Sequence, residues 1–258
     1  MKIIVSRDAD ELGLRSANYV AERINAAIAD HGEARIVLST GASQFPMFKN
    51  LVNCDVDWSK VTMFHLDEYV DLPETHIASF RKYLKERFAS KVNLKAAHYV
   101  DGTPEGIANL TKELRSAPID IGLIGIGENG HIAFNDPPAD FETKEAYIIV
   151  NLNDTCKKQQ VGEGWFPTVD DVPKQAVSMT VYQILQCKEI ISVVPHEVKA
   201  NAIKLTMENE ITNKIPATIM KAHDNFTLYV DANSYSKADE SKFLTVGKDI
   251  TIEKTINA

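Results

Sequence analysis

Hydrophobic residues fall into short runs, and the stretches between the runs have helical spacing. The runs predict strands at residues 2–5, 36–38, 61–66, 119–126, 146–150, 176–179, 190–194 and 226–230. The stretches between them predict helices at residues 8–30, 45–52, 79–88 and 197–207. Because the run at 119–126 is almost continuously apolar, we expect it to be a central parallel strand buried on both faces.

Strands that alternate with helices indicate βαβ units. The pattern therefore predicts an α/β fold in three layers, with a mostly parallel, Rossmann-like sheet and helices on both of its faces. We find no internal repeat and no linker, so we expect a single domain over residues 1–258. Residues 234–258 are polar and weakly periodic, and we expect them to form a C-terminal extension on the surface.

Composition narrows the environment of the chain. The formal net charge is −8 and the sequence pI is about 5.4, which disfavours binding to nucleic acid or to an anionic membrane. The three cysteines are isolated in sequence, as is typical of reduced thiols. The N-terminal apolar run is too short for a signal peptide, and no run is long enough to span a membrane. We therefore expect a cytoplasmic protein.

The first candidate site is a loop that follows the predicted strand at 36–38. It reads Ser39, Thr40, Gly41, Ala42 and Ser43. Hydroxyl groups, a glycine and the start of a helix together offer donors and a positive dipole end to a phosphate. An ordinary Ser/Thr helix cap explains the same residues equally well.

A second candidate lies at the end of the strand at 61–66. Asp67 and Glu68 stand side by side there, and either can act as a general base if burial raises its pKa. Two solvated carboxylates in a turn are the simpler alternative.

The third candidate is a glycine-rich loop after the central strand. Residues 125–138 read Gly-Ile-Gly-Glu-Asn-Gly-His-Ile-Ala-Phe-Asn-Asp-Pro-Pro. The glycines let the backbone turn sharply and approach a ligand. His131 can transfer protons near neutral pH if a neighbour fixes its tautomer, and Asn129 and Asp136 are candidates for that task. Lys199, just after the strand at 190–194, is a candidate phosphate ligand or a surface lysine.

These segments together resemble the glucosamine-6-phosphate deaminase/isomerase family over most of the chain. Residues 66–70 are similar to the family's enolisation-base motif, and residues 127–137 to its glycine–histidine loop. Residues 193–200 are similar to its phosphate-lysine segment. His223, followed by residues 230–231, is similar to its C-terminal strand region.

The resemblance implies a function and a role for each site residue. Asp67 would move a proton between C2 and C1 of an open-chain amino-sugar 6-phosphate. His131 would protonate the ring oxygen, with Asn129 and Asp136 setting its orientation. The implied substrate-binding residues are Thr40, Gly41, Ala42, Ser43, Gly130 and Lys199. The resemblance implies no metal and no organic cofactor, a small sugar phosphate as the partner, and assemblies ranging from monomers to homo-oligomers.

The chain departs from the family pattern in three places. Well-known members have Asp where this chain has Asn129, and Glu where it has Asp136. A family arginine that closes over the phosphate has no clear match in residues 157–166, where Lys157 or Lys158 is the substitute cation.

Two other functions stay open at this point. A 6-phosphogluconolactonase shares the fold and a similar glycine–histidine loop, but it needs no C2 base and has Arg at the position of Tyr69. A non-catalytic sugar-phosphate sensor domain is the second alternative, and the acidic charge disfavours the DNA-binding segment that such sensors usually carry. Glucosamine and galactosamine 6-phosphate are not distinguished by the sequence.

Overall fold

The computed structural model describes residues 1–255, which form two β-sheets and seven α-helices. The strands are β1 (Lys2–Ser6), β2 (Ala34–Leu38), β3 (Val61–His65), β4 (Asp67–Tyr69), β5 (Ala96–His98), β6 (Ile121–Leu123), β7 (Tyr147–Asn151), β8 (Gln175–Met179), β9 (Glu189–Val194), β10 (Phe226–Asp231) and β11 (Thr251–Lys254). The helices are α1 (Ala9–His31), α2 (Phe45–Leu51), α3 (Phe80–Leu84), α4 (Pro104–Leu114), α5 (Asp154–Gly162), α6 (Val181–Ile184) and α7 (Ala200–Glu208).

The main sheet has eight strands in the order β11-β1-β10-β9-β6-β2-β3-β5, and every pairing in it is parallel. The predicted α/β fold with a mostly parallel sheet is therefore confirmed. From β2 the chain moves outward to β3 and β5, whereas from β6 it moves in the opposite direction to β9 and β10. A crevice opens beyond the carboxyl ends of β2 and β6, at this reversal of strand order, and ligands of such sheets bind there.

Each strand of the sheet buries alternate residues on opposite faces. Ile3 and Val37 belong to one hydrophobic core, and Ile4 and Ile36 belong to the other. Helices α1 and α2 cover the face of the second core, while α4 and α7 cover the face of the first. Helices thus lie on both faces, as predicted. Within residues 1–255 no helix is both long and apolar enough to cross a membrane.

Two of the predicted strands do not join the main sheet. Strands β7 and β8 pair antiparallel with each other, and β8 pairs antiparallel with β4, in a small sheet of order β4-β8-β7. Strand β7 shows the alternating buried and exposed positions that are typical of a sheet with one face in water. The small sheet matters for function because β4 begins at Asp67.

The C-terminal stretch contains a strand that the sequence did not predict. Strand β11 pairs parallel with β1 at the edge of the main sheet, in the register Lys2 opposite Thr251. Only one of its four residues, Ile252, is apolar, so its pattern does not look like that of a buried strand. Three of the four residues of β11 are exposed, so this part of the expected extension over residues 234–258 lies at the surface but forms a strand, and residues 256–258 lie outside the described part of the chain.

Candidate active site

A cleft of about 980 Å³ lies at the carboxyl ends of the central strands. The predicted site residues that line it are Thr40, Gly41, Ala42, Ser43, Asp67, Asn129, His131 and Lys199. They come from four loops, which follow β2, β3, β6 and β9. The other two predicted site residues, Asp136 and Gly130, do not line the cleft. Over residues 1–255, no group of three or more His, Cys, Asp or Glu side chains is placed to hold a metal ion.

Asp67 presents a buried carboxylate to the cleft. It is 6% exposed, and its Oδ1 atom has no hydrogen-bond partner in the described chain. Burial raises the pKa of Asp67 well above its usual value, and the nearby charge of Glu68 adds to this rise. A carboxylate with a raised pKa and an unused oxygen is suited to accept a proton from a bound ligand.

Glu68 points away from the cleft because neighbouring residues of a strand alternate between faces. Its Oε1 accepts hydrogen bonds from the backbone N–H groups of Tyr69 (2.9 Å) and Phe80 (3.2 Å). Its Oε2 accepts from Ser79 Oγ (3.1 Å), and also from the backbone N (2.8 Å) and Nε (3.2 Å) of Arg81. Burial raises the pKa of Glu68 despite these bonds. With both oxygens occupied, Glu68 holds the start of α3, and Asp67 remains as the candidate base.

His131 is oriented by Asn129 and Asp136. Its Nδ1 lies 2.7 Å from Asn129 Oδ1 and 3.3 Å from Asp136 Oδ1. The amide of Asn129 donates to Asp136 Oδ1 at 3.3 Å, so its oxygen is the atom that faces the ring. Two acceptors at Nδ1 place the proton on that nitrogen, which leaves Nε2 available for a ligand.

Asp136 acts through His131, since it does not line the cleft itself. Burial alone would raise its pKa, but the hydrogen bond and charge of His131 and the contacts with Asn129 and Cys156 hold the pKa of Asp136 below its usual value. The carboxylate therefore remains ionised beside the imidazole and favours the Nδ1–H tautomer. Cys156 belongs to α5, so this contact also ties α5 to the glycine-rich loop.

The glycines of the loop have distinct tasks. A Cβ atom at Gly127 would lie 2.1 Å from His131 Cε1, so only glycine leaves room for the imidazole. Gly130 has a φ of +82°, and a Cβ there would lie 2.8 Å from Ile215 Cγ2. The carbonyl of Gly130 accepts from the backbone N of Ala217 at 2.8 Å. Its position is that of a turn residue, and it does not support the predicted contact with substrate.

The loop after β2 and Lys199 line the same cleft. Ser39 Oγ is buried without a hydrogen-bond partner in the described chain, and Gly41 has a φ of +107°. The carbonyl of Gly41 accepts from Tyr83 Oη at 2.9 Å, which fixes the loop. Lys199 is 8% exposed, and burial lowers its pKa, although Glu163 and Glu128 oppose the shift. A buried cation beside unpaired donors fits a phosphate group.

Several cleft residues were not identified from the sequence as ligands. The residues after α5 contribute Glu163 and Trp165. Of the two substitute cations considered from the sequence, Lys158 lines the cleft and Lys157 does not. His196 and Lys214 also line it. Lys214 lies in no motif, and His196 was not identified as a ligand although it lies within the phosphate-lysine segment at residues 193–200.

The chain is similar in sequence to proteins of one family. A profile of the family described as glucosamine-6-phosphate isomerases/6-phosphogluconolactonase matches residues 7–229. A glucosamine-6-phosphate deaminase of Staphylococcus epidermidis is 37% identical over 246 residues, covering 90% of this chain and 97% of the relative. A protein of the same name from Lactobacillus delbrueckii subsp. bulgaricus is 32% identical over 235 residues, with the same two coverages.

Solved structures show the same fold. A monomeric glucosamine-6-phosphate deaminase superposes with a TM-score of 0.84 at 26% identity, covering 92% of this chain and 100% of that one. A 6-phosphogluconolactonase from Thermotoga maritima has a TM-score of 0.74 at 16% identity, with 90% and 100% coverage, and supports the fold alone. The chain belongs to the glucosamine-6-phosphate isomerase/6-phosphogluconolactonase family.

Proposed function

We propose that the chain is a glucosamine-6-phosphate deaminase, which converts glucosamine 6-phosphate and water into fructose 6-phosphate and ammonia. Relatives that carry this name are 30–37% identical to the chain over about nine-tenths of its length. The observation that carries the proposal is the cleft itself, where an unpaired buried carboxylate, an oriented imidazole and a buried lysine meet. A lactonase needs no C2 base, so the state of Asp67 favours the deaminase.

Ring opening is the task of His131. With the Nδ1 proton held by Asn129 and Asp136, the Nε2 side of the ring exchanges a proton with the ring oxygen of the bound sugar. The ionised Asp136 stabilises the imidazolium form that this exchange requires. The opened sugar has an aldehyde at C1 and the amino group at C2.

Isomerisation is the task of Asp67. Its carboxylate takes the proton from C2, the electrons of that bond form a C1–C2 double bond, and the carbonyl pair of C1 moves to O1, which takes up a proton from solvent to give an enolamine. Asp67 then returns its proton to C1, and the nitrogen gives up a proton to solvent, which produces an imine at C2. Water then adds to C2, and ammonia leaves, which yields the ketose. The raised pKa of Asp67 brings its basicity toward that of the carbon acid, which helps the transfer.

The phosphate group fixes the register of the sugar between these two residues. Lys199 and the loop at Thr40–Ser43 hold it at one end of the cleft, so that C1 and C2 lie near Asp67. Lys158 from α5 supplies a further cation in place of the family arginine. A lysine is a point charge, so it does not reproduce the two-pronged hydrogen bonding of an arginine.

The remaining expectations belong to the same proposal. We infer a cytoplasmic enzyme that needs neither a metal nor an organic cofactor, and a homo-oligomer is compatible with it.

The test is an ammonia-release assay on purified protein with a small substrate panel. Glucosamine 6-phosphate, galactosamine 6-phosphate and 6-phosphogluconolactone are compared, with release of acid followed for the lactone. Ammonia from glucosamine 6-phosphate supports the proposal. Preference for galactosamine 6-phosphate changes the substrate only, whereas lactone hydrolysis without ammonia release assigns the chain to the other activity of the family.

A further inference from the structure

We propose that His196 is a ligand of the substrate's phosphate group, acting beside Lys199. This inference rests on the proposed function, because it assigns a second side chain to the anion that anchors the sugar. His196 follows β9 and Pro195, and it lines the same cleft as Lys199.

The backbone of His196 is strained. Its φ is +80° and its ψ is 146°, a region that is populated almost entirely by glycine. The strain is imposed by Asp231 at the end of β10, whose carboxylate oxygens accept the backbone N–H of His196 at 3.1 and 3.2 Å. Asp231 is fully buried and is fixed in turn by the backbone N–H of Ser234 at 2.7 Å. Glycine would relax this turn, yet the chain has histidine there.

The turn lines the same cleft as the loop at Thr40–Ser43. The carbonyl of His196 accepts from the backbone N of Lys199 at 3.0 Å, so the two residues belong to one tight turn. The loop at Thr40–Ser43 lies against the same strand end, because Gln44 Nε2 donates to the carbonyl of Val193 at 3.0 Å. His196 is an exposed residue at the edge of the cleft, and among residues 1–255 it hydrogen-bonds through its backbone only, which leaves its ring nitrogens available for a ligand.

The two lysines proposed for the anion, Lys199 and Lys158, are point charges, so a directed side-chain donor adds what they lack. Three phosphate oxygens need donors from several directions, and Lys199 supplies a point charge from one of them. The segment at residues 157–166 has no arginine to close over the anion. An imidazole N–H three residues before Lys199 provides a directed hydrogen bond, which explains why a strained histidine occupies a position where glycine would fit better.

The test compares His196→Gly and His196→Asn with the wild type. The dissociation constant for inorganic phosphate is measured by calorimetry, and kcat and KM are measured with glucosamine 6-phosphate. Val246→Gly is the matched control, because Val246 also has a positive φ, of +46°, but does not line the cleft. Relief of strain should raise the melting temperature of both glycine variants.

We expect the phosphate dissociation constant of His196→Gly to rise about tenfold, as loss of a hydrogen bond to a charged group predicts. KM should rise by a similar factor with a smaller change in kcat, His196→Asn should lose less, and Val246→Gly should bind phosphate like the wild type. A His196→Gly variant that binds phosphate within twofold of the wild type overturns the proposal. A fall in kcat with unchanged phosphate binding also overturns it, since it places the ring at the reacting carbons. The phosphate-binding measurement requires no catalysis, so its result does not depend on which reaction the protein catalyses.

Discussion

Replacing Asp67 with Asn should make the protein more stable and inactive at the same time. The substitution keeps the size of the side chain but removes the charge that the cleft buries without a partner. The isomerisation loses its base, so kcat should fall by about 10²–10⁴-fold. Binding of phosphate should remain unchanged, because Lys199 and the loop at Thr40–Ser43 are untouched.

The gain in stability depends on pH, and its sign follows from the pKa. The folded protein raises the pKa of Asp67 above its value in the unfolded chain. The stability that the protonated form contributes is therefore present at low pH and is lost as the pH rises through the folded pKa. At pH 8, removal of the unpaired buried charge should increase the free energy of unfolding by about 1–3 kcal/mol. For a chain of this length that corresponds to a rise in Tm of roughly 3–8 °C.

The assay is thermal unfolding followed by circular dichroism at pH 5 and pH 8. Glu68→Gln is the matched control, because Glu68 is also buried but accepts hydrogen bonds at both oxygens. An amide leaves some of these donors unpaired, so this variant should lose about 1–3 kcal/mol of stability. If Asp67→Asn is less stable than the wild type at pH 8, or if its advantage is greater at pH 5, the carboxylate of Asp67 is not an unpaired buried base.

Lys199→Ala should raise KM roughly tenfold or more, with a smaller effect on kcat. Lys204→Ala, on the exposed side of α7, is the control. An unchanged KM for Lys199→Ala removes that residue from the phosphate site. Activity should fall as the pH drops through the raised pKa of Asp67, because only the ionised carboxylate accepts a proton. A kcat/KM that stays constant as the pH falls to the pKa of an ordinary carboxyl group contradicts the role of Asp67. Dialysis against EDTA should leave kcat unchanged, whereas a loss restored by added metal refutes the metal-free proposal. Gly13→Ala should lower the free energy of unfolding by about 2 kcal/mol, because the new Cβ would lie 2.5 Å from the carbonyl carbon of Pro46. The measurement is a denaturant titration. An unchanged midpoint of unfolding shows that α1 and α2 can separate freely.

Six of the eight strands of the main sheet could be predicted because they are short apolar runs between helical stretches. The alternating pattern of a parallel α/β fold is local, and it also places the loops that carry chemistry at one edge of the sheet. The second sheet could not be predicted, because the sequences of β7 and β8 indicate strands but do not show which strands they pair with. Strands β5 and β11, the two edges of the main sheet, were missed because an edge strand needs little apolar character.

In the site, too, the sequence identified residues by their neighbours in the chain and missed roles that depend on contacts with distant segments. Asp67 and Glu68 are neighbours with the same chemistry, and only the packing of α3 against β4 shows that Glu68 is occupied. Asn129 and Asp136 were identified because they flank His131 in the chain. His196 lies in the phosphate-lysine segment at residues 193–200 but was not identified, since its significance depends on a backbone angle held by Asp231 from another strand.

A crystal structure with an open-chain amino-alditol phosphate bound would test the central claim most directly. We expect the phosphate at Lys199 and Thr40–Ser43, a carboxylate oxygen of Asp67 within about 3.5 Å of C1 or C2, and His131 Nε2 directed at O5. A complex in which the phosphate lies elsewhere, or in which C1 and C2 face away from Asp67, contradicts the account.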